Sequence, residues 1–178
     1  MTGPALVPAA VGLLPVLSFL GVLLYLDSYK LVKLRDVVAV VACGSAVAGA
    51  SYLMNAHVLG LVEIDFKTFS RYVAPFTEEV LKGLLIMVLI RTHRIGFLVD
   101  AAILGFAIGT GFALVENLYY LNLFPNAGIG TWILRGFGTA IMHGGGTALF
   151  AIMGLALLER SERAGLSAFL PGLLIAVV

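Results

Sequence analysis

Long apolar runs dominate this sequence and constrain its fold more than any other feature. A helix needs about 20 mostly apolar residues to cross the hydrocarbon core of a bilayer. Runs of that kind recur along the 178 residues, of which 61% are hydrophobic and 12% are charged. Because lipid offers no partners to backbone polar groups, such runs fold as membrane-spanning helices. The sequence therefore predicts an all-α, polytopic membrane protein.

About six transmembrane helices are predicted, and the last is incomplete. Residues 63–74 have the mixed, amphipathic pattern of an interfacial helix. The last segment would reach only about 20 Å as a helix, so we expect the chain to continue past Val178. We divide the chain into two N-terminal helices, residues 1–62, and a transmembrane core, residues 63–178. The predicted helices cover residues 4–26, 37–62, 75–90, 97–122, 131–158 and 166–178.

The basic residues are unevenly distributed between alternate loops. The first, third and fifth loops together hold Lys30, Lys33, Arg35, Arg91, Arg94, Arg160 and Arg163, whereas the second and fourth hold Lys67 and Arg71. Since basic residues favour the cytoplasmic side, this pattern places the N-terminus outside. The N-terminus has no basic region of a signal peptide, so the first helix is expected to be retained. A net charge of +1 gives no reason to expect a nucleic-acid partner.

Several ionisable residues lie inside the predicted spans. Burying each in a bilayer costs at least about 2.5–3.5 kcal/mol, so such residues usually mark a function or an ion pair. These residues are Glu78, Glu79, Lys82, Asp100, Glu116, Arg135 and His143. All except Asp100 fall in the half of the predicted bundle that the loop charges assign to the outer side of the membrane. We expect Asp100, at the other end of its helix, to pair with Arg91 or Arg94.

Helical spacing brings some of these residues onto one face. Glu78 and Lys82 are four residues apart, and Glu79 and Lys82 are three apart, so one lysine can face both acids. The three glycines that follow His143 remove side-chain bulk from that turn, which leaves room for a substrate strand or a water molecule.

The chemistry of these residues narrows the reaction classes. The sequence contains no His-Glu-x-x-His motif and no Gly-x-Ser-x-Gly nucleophile, and Asp100 is the only aspartate within a span. Carboxylates and an imidazole remain. A glutamate can act as a general base towards water, and Glu79, Glu116 and His143 could also bind Zn²⁺. Metal-free and metal-assisted hydrolysis both stay open.

Two motifs resemble a known family. Residues 74–83 read Ala-Pro-Phe-Thr-Glu-Glu-Val-Leu-Lys-Gly, and residues 111–120 read Gly-Phe-Ala-Leu-Val-Glu-Asn-Leu-Tyr-Tyr. Together they resemble the PrsW intramembrane proteases, which are relatives of the CAAX protease and bacteriocin-processing superfamily. Arg135 and His143 in the next helix agree with this resemblance, which covers residues 69–158.

The resemblance implies an intramembrane endopeptidase that cleaves membrane-anchored proteins or peptides, in a prokaryotic cell membrane. It implies that Glu78 and Glu79 activate water and that Glu116 and His143 complete the site. The supporting residues are Lys82, Phe112, Asn117 and Arg135. Family members are described as metalloproteases or as glutamic-type proteases, so the cofactor is either absent or a divalent metal such as Zn²⁺. The oligomeric state is not indicated.

One departure from the family pattern concerns a further histidine in a later helix, which does not occur before Val178. This agrees with the expected continuation of the chain. Two other functions remain as alternatives. An ion- or proton-coupled transporter would show inverted repeats, yet the first two spans carry almost no charge. A non-catalytic scaffold of the same fold would lack a working site.

Overall fold

The structure is a computed structural model that describes residues 3–27, 32–160 and 165–177. All regular secondary structure in these ranges is helical, which confirms the predicted all-α fold. Some residues used in these predictions lie outside the described ranges. They are Lys30 and Arg163, which contributed to the predicted orientation, and Val178, past which the chain was expected to continue. The elements in chain order are α1 (Gly3–Leu26), α2 (Leu34–Leu61), α3 (Phe66–Thr68), a π-helical turn (Phe69–Val73), α4 (Ala74–Arg91), α5 (Leu98–Leu123), α6 (Ile129–Thr139), a second π-helical turn (Ala140–Gly145), α7 (Gly146–Arg160), a 3₁₀ turn (Gly165–Phe169) and α8 (Leu170–Val177).

Long apolar helices make this protein an integral membrane protein. Within the described ranges, four helical runs are long and apolar enough to cross a bilayer: Leu6–Leu26, Leu34–Leu61, Leu98–Leu123 and Ile129–Arg160. Large apolar side chains on their outer faces are exposed, such as Leu53 at 70% and Leu134 at 76%. Such surfaces are unfavourable in water but are suited to lipid. The run Gly165–Val177 is shorter, as the sequence predicted for the last helix.

The third predicted span, residues 75–90, corresponds to α4. The amphipathic segment predicted to lie at the interface is continuous with this helix, because α3, the first π turn and α4 follow one another without a break. Asp65 caps the start of this helical run, where its Oδ1 accepts a hydrogen bond from the Thr68 N–H at 3.0 Å. Hydrogen bonds from Thr68 lower the pKa of the exposed Asp65 carboxyl below its usual value.

Helix α5 forms the centre of the bundle. Its apolar window is 67% buried, compared with 22% for α1 and 28% for α2. Close packing around α5 depends on glycine. A Cβ at Gly44 of α2 would collide with the Ile108 carbonyl, and a Cβ at Gly109 would collide with the His143 carbonyl. In the motif Gly105-x-x-x-Gly109, Gly109 therefore lets the chain at His143 lie directly against α5, and Gly105 does the same for Ala148 of α7.

The fifth predicted span is one helical run from α6 to α7 with the second π turn in its middle. A π turn inserts one extra residue into a helix and is frequent at functional sites. His143 lies within this turn, and the structure therefore places it where the helix changes its register.

Candidate active site

Glu79 and Lys82 form a buried ion pair on α4. The Lys82 Nζ lies 2.5 Å from the Glu79 Oε1, and the lysine side chain is completely buried. The same ammonium group also lies 2.9 Å from the Nδ1 of His143, on the π turn after α6. A buried ammonium is costly unless several groups compensate its charge, and here a carboxylate and an imidazole do so.

Glu116 of α5 extends this chain of contacts. Its Oε2 lies 2.8 Å from the His143 Nε2, and its Oε1 lies 3.3 Å from the Arg135 Nη2 of α6. A continuous polar network therefore runs from Glu79 through Lys82, His143 and Glu116 to Arg135. It joins three consecutive helical runs, as the sequence predicted.

The network fixes the tautomer of His143. A lysine ammonium has only donor hydrogens, so the Nδ1 that faces Lys82 must act as the acceptor. The ring proton then lies on Nε2, from which it is donated to the Glu116 carboxylate. Both ring nitrogens are consequently engaged.

Aromatic rings pack against the charged groups. The Lys82 Nζ lies 4.3 Å from the centre of the Phe112 ring, and that ring lies 4.8 Å from the ring of His143. The guanidinium of Arg135 lies 3.8 Å above the ring of Tyr120. Cation–π contacts of this kind stabilise a cation that has lost its water, so Phe112 supports the buried ammonium.

Asn117 holds the side chain of Arg135, the last residue of the network. It is fully buried, and its Oδ1 accepts a hydrogen bond of 3.1 Å from the Arg135 Nε. Its Nδ2 donates to the carbonyl of Gly12 at 3.0 Å and to the Thr139 hydroxyl at 2.9 Å. Asn117 therefore connects α5 to both α1 and α6.

Glu78 lies beside the network but makes different contacts. Its Oε1 accepts a hydrogen bond of 3.4 Å from the Nδ2 of Asn55 on α2. Its carboxylate lies close enough to Lys82, Glu116 and Glu79 to interact with their charges, so Glu78 borders the same cluster. The four residues predicted to be catalytic thus lie together.

The prediction for Asp100 was wrong. Its Oδ2 accepts hydrogen bonds from the backbone N–H groups of Gly96 and Phe97, at 3.2 and 3.0 Å, and so caps the start of α5. Arg94 instead lies 3.6 Å from Asp36 at the surface. A helix N-terminus offers free N–H donors and a favourable dipole to an acid, and this local interaction replaces the expected ion pair.

The proposed zinc ligands do not fit a metal site as they are arranged here. Among the residues that the structure describes, no three His, Cys, Asp or Glu side chains are grouped to hold a metal ion. The Lys82 ammonium lies between Glu79 and His143, and His143 has no nitrogen lone pair left for a metal. The positions between these side chains are filled by an internal cation.

Several members of the site were not predicted from the sequence. Asn55 contacts both Glu78 and Thr77. The Thr139 hydroxyl and the Gly12 carbonyl accept hydrogen bonds from Asn117. These groups are uncharged, so a search for ionisable residues in apolar spans could not identify them. A search that included neutral amides would have found Asn55, because it is a polar residue inside the second predicted span.

The comparisons with known proteins agree with this picture. A family model described as PrsW family intramembrane metalloprotease matches residues 33–178. This match is longer than the resemblance seen in the motifs, residues 69–158, and it includes α2 with Asn55. No curated protein and no solved structure matches the chain.

Proposed function

The chain belongs to the PrsW family of intramembrane metalloproteases, and from this premise we propose that Glu78 is its general base. In this proposal, Glu78 activates a water molecule that hydrolyses a peptide bond of a membrane-associated protein or peptide. Glu79, Glu116 and His143 complete the site.

The observation that supports this proposal is that three neighbouring carboxylates differ in the groups that balance their negative charge. Glu79 is paired with Lys82, and Glu116 is held between His143 and Arg135. Glu78 receives a hydrogen bond from a neutral amide. A general base needs an available lone pair within reach of the proton that it removes, and a carboxylate without a direct ion pair among the described residues provides one.

The reaction follows from this arrangement. Glu78 takes a proton from water while the water oxygen attacks the carbonyl carbon of the substrate, and the carbonyl oxygen becomes negative. When the carbon–nitrogen bond breaks, the protonated Glu78 gives its proton to the leaving amine. The cations of Lys82 and Arg135 contribute a positive potential to the site, which favours the negative charge that develops in the transition state.

The remaining residues hold His143 and Glu116 in place. Lys82 orients His143 through Nδ1, and Phe112 packs against both of them. Arg135 of α6 holds the Glu116 side chain, and Asn117 of α5 in turn holds Arg135. We assign these four residues, Lys82, Phe112, Asn117 and Arg135, a positioning role.

We further propose that the site lies in the outer half of a prokaryotic cell membrane, with the N-terminus outside. The loop charges support this orientation. Glu116 lies seven residues before the end of α5 at Leu123, which is a depth of about 10 Å at 1.5 Å per residue. A site at this depth is within reach of water from one side.

Cleavage in cells tests the proposal. The protein is co-expressed with a panel of single-span membrane proteins that carry an epitope tag at each end, and cleaved fragments are detected. Glu78→Gln should lose cleavage by about 10²–10⁴-fold, as expected for removal of a general base, while its expression stays unchanged. Glu79→Gln and His143→Ala should also reduce cleavage. Cleavage by Glu78→Gln at the wild-type rate would overturn the assignment of the base.

A further inference from the structure

Asn55 on α2 contacts two consecutive residues at the start of α4. Its Oδ1 lies 2.5 Å from the Thr77 hydroxyl, and its Nδ2 lies 3.4 Å from the Glu78 Oε1. One side-chain amide therefore engages both a hydroxyl and a carboxylate from a helix 22 and 23 residues further along the chain.

The chemistry of these groups determines the direction of both hydrogen bonds. A carboxylate only accepts, so the amide must present its NH₂ group to Glu78 and its oxygen to Thr77. The Thr77 hydroxyl has one proton, and both the Ala74 carbonyl at 2.8 Å and the Asn55 Oδ1 lie within its range. Because the amide oxygen cannot donate, the bond between Asn55 and Thr77 exists only when Thr77 donates to it.

The neutrality of Asn55 distinguishes Glu78 from its neighbours. A lysine or arginine in this place would orient the carboxylate but would also compensate its charge, as Lys82 does for Glu79. An amide orients the carboxylate and leaves its negative charge in place. Asn55 binds Oε1, so it does not occupy Oε2, the oxygen that would take the proton from water in this proposal.

We propose that Asn55 is a positioning residue that aims Glu78 at the hydrolytic water, with Thr77 fixing the amide. The inference rests on the proposed function of Glu78 as the general base. It assigns α2 a direct part in the active site, although the motifs that resemble the family lie in α4 and α5.

Steady-state kinetics of the purified full-length protein in nanodiscs test this role. The probe is a library of fluorogenic peptides, each carried on a polyleucine single-span anchor and randomised in its outer segment. Asn55→Leu has a similar volume but cannot form either hydrogen bond. We expect kcat to fall roughly 10- to 100-fold, the effect of a misplaced catalytic group, while KM and the thermal unfolding midpoint stay unchanged.

Further variants separate positioning from folding. Thr77→Val removes only the hydroxyl and should lower kcat less than Asn55→Leu does. Asn55→Gln keeps the amide and should recover part of the rate that Asn55→Leu loses. Ser51→Ala is the matched control, because Ser51 is buried one turn before Asn55 on α2 and its hydroxyl has no hydrogen-bond partner among the described residues. This control should cleave at the wild-type rate. If Asn55→Leu does not fold, the kcat of Thr77→Val decides whether the Asn55 amide positions Glu78.

The outcomes distinguish the two proposals. If the wild type cleaves no member of the library, or if Glu78→Gln cleaves like the wild type, the proposed function fails and this inference fails with it. If Glu78→Gln is inactive but Asn55→Leu and Thr77→Val keep the wild-type kcat, only the role of Asn55 is overturned. A rise in KM with an unchanged kcat would likewise overturn it.

Discussion

The two acids of α5, Asp100 and Glu116, differ in how their charges are compensated. Asp100 at the start of the helix is bound by backbone N–H groups of residues three and four positions away. Glu116, about 24 Å further along the helix at 1.5 Å per residue, is bound by side chains of His143 and Arg135 on another helix. Asp27 resembles Asp100, because it accepts a hydrogen bond from the nearby Val32 N–H and lies beside the start of α5.

The type of partner, backbone N–H groups or side chains, distinguishes acids that cap a helix from acids that belong to the candidate site. A carboxylate that caps a helix needs nothing beyond its own local sequence, and its loss affects mainly that helix end. A carboxylate that is held by side chains of other helices exists only in the assembled bundle. The contacts of Glu116 and Glu78 are therefore sensitive to how α2, α4, α5 and α6 pack, whereas Glu79 is paired with Lys82 of its own helix.

The largest effect on stability is expected from Lys82→Met. This change leaves the buried Glu79 without its cation and His143 without its partner, which should destabilise the protein by roughly 3–5 kcal/mol. Unfolding in detergent mixtures measures the difference. The double variant Lys82→Met with Glu79→Leu should regain most of the stability, since it removes both charges. A double variant as unstable as Lys82→Met alone would argue against the ion pair.

A smaller effect is expected from Gly109→Ala. The added methyl group collides with the His143 carbonyl and should push the π turn away from α5, at a cost of about 1–3 kcal/mol. Cleavage should fall as well, because the contact between His143 and Glu116 lengthens. Gly49→Ala is the control, as no atom lies near its added methyl group. If both variants behave alike, close packing at Gly109 does not position His143.

Asp100→Ala tests the other end of α5. It removes two hydrogen bonds to backbone N–H groups, and we expect a loss of about 1 kcal/mol, as for other helix caps. Cleavage per folded molecule should stay at the wild-type level. Thermal unfolding and the cleavage assay, measured on the same preparation, check both statements. A strong loss of cleavage with little loss of stability would place Asp100 in the site.

The smallest effect is expected from Arg94→Gln. The ion pair of Arg94 with Asp36 spans 3.6 Å at the surface, where the arginine side chain is 62% exposed. Exposed pairs of this kind contribute about 0.5 kcal/mol or less. Unfolding at low and high salt should show almost no difference from the wild type. A loss comparable to that of Asp100→Ala would show that this end of the bundle also depends on side-chain pairing.

The sequence predicted the parts of the site that follow from helical period and from charge. The spacing of Glu79 and Lys82 predicted their contact, and the cost of burying Glu116 and His143 predicted that they meet. The apolar runs likewise predicted the helices. The prediction for Asp100 failed because it considered only charged partners, whereas the backbone donors at the start of α5 were closer.

Other parts of the site could not be predicted from one sequence. The amide of Asn55 carries no charge, and every residue of a helix has a backbone carbonyl like that of Gly12, so the sequence does not indicate which partners these groups bind. Their roles depend on which turn of α1 or α2 lies against α4 and α5. That register is determined by glycine contacts such as Gly44 with Ile108 and Gly136 with Val11, and it becomes visible only in three dimensions.

The hydrogen bond between Asn117 and Gly12 has a consequence for any attempt to shorten the protein. The matched family region begins at residue 33, so a truncation designed from it would discard α1. The cut would leave a buried amide hydrogen of Asn117 facing lipid or an empty groove, and Arg135 would lose a firmly held neighbour. The first helix thus supports the proposed site by holding Asn117, although it contributes none of the charged side chains of the network.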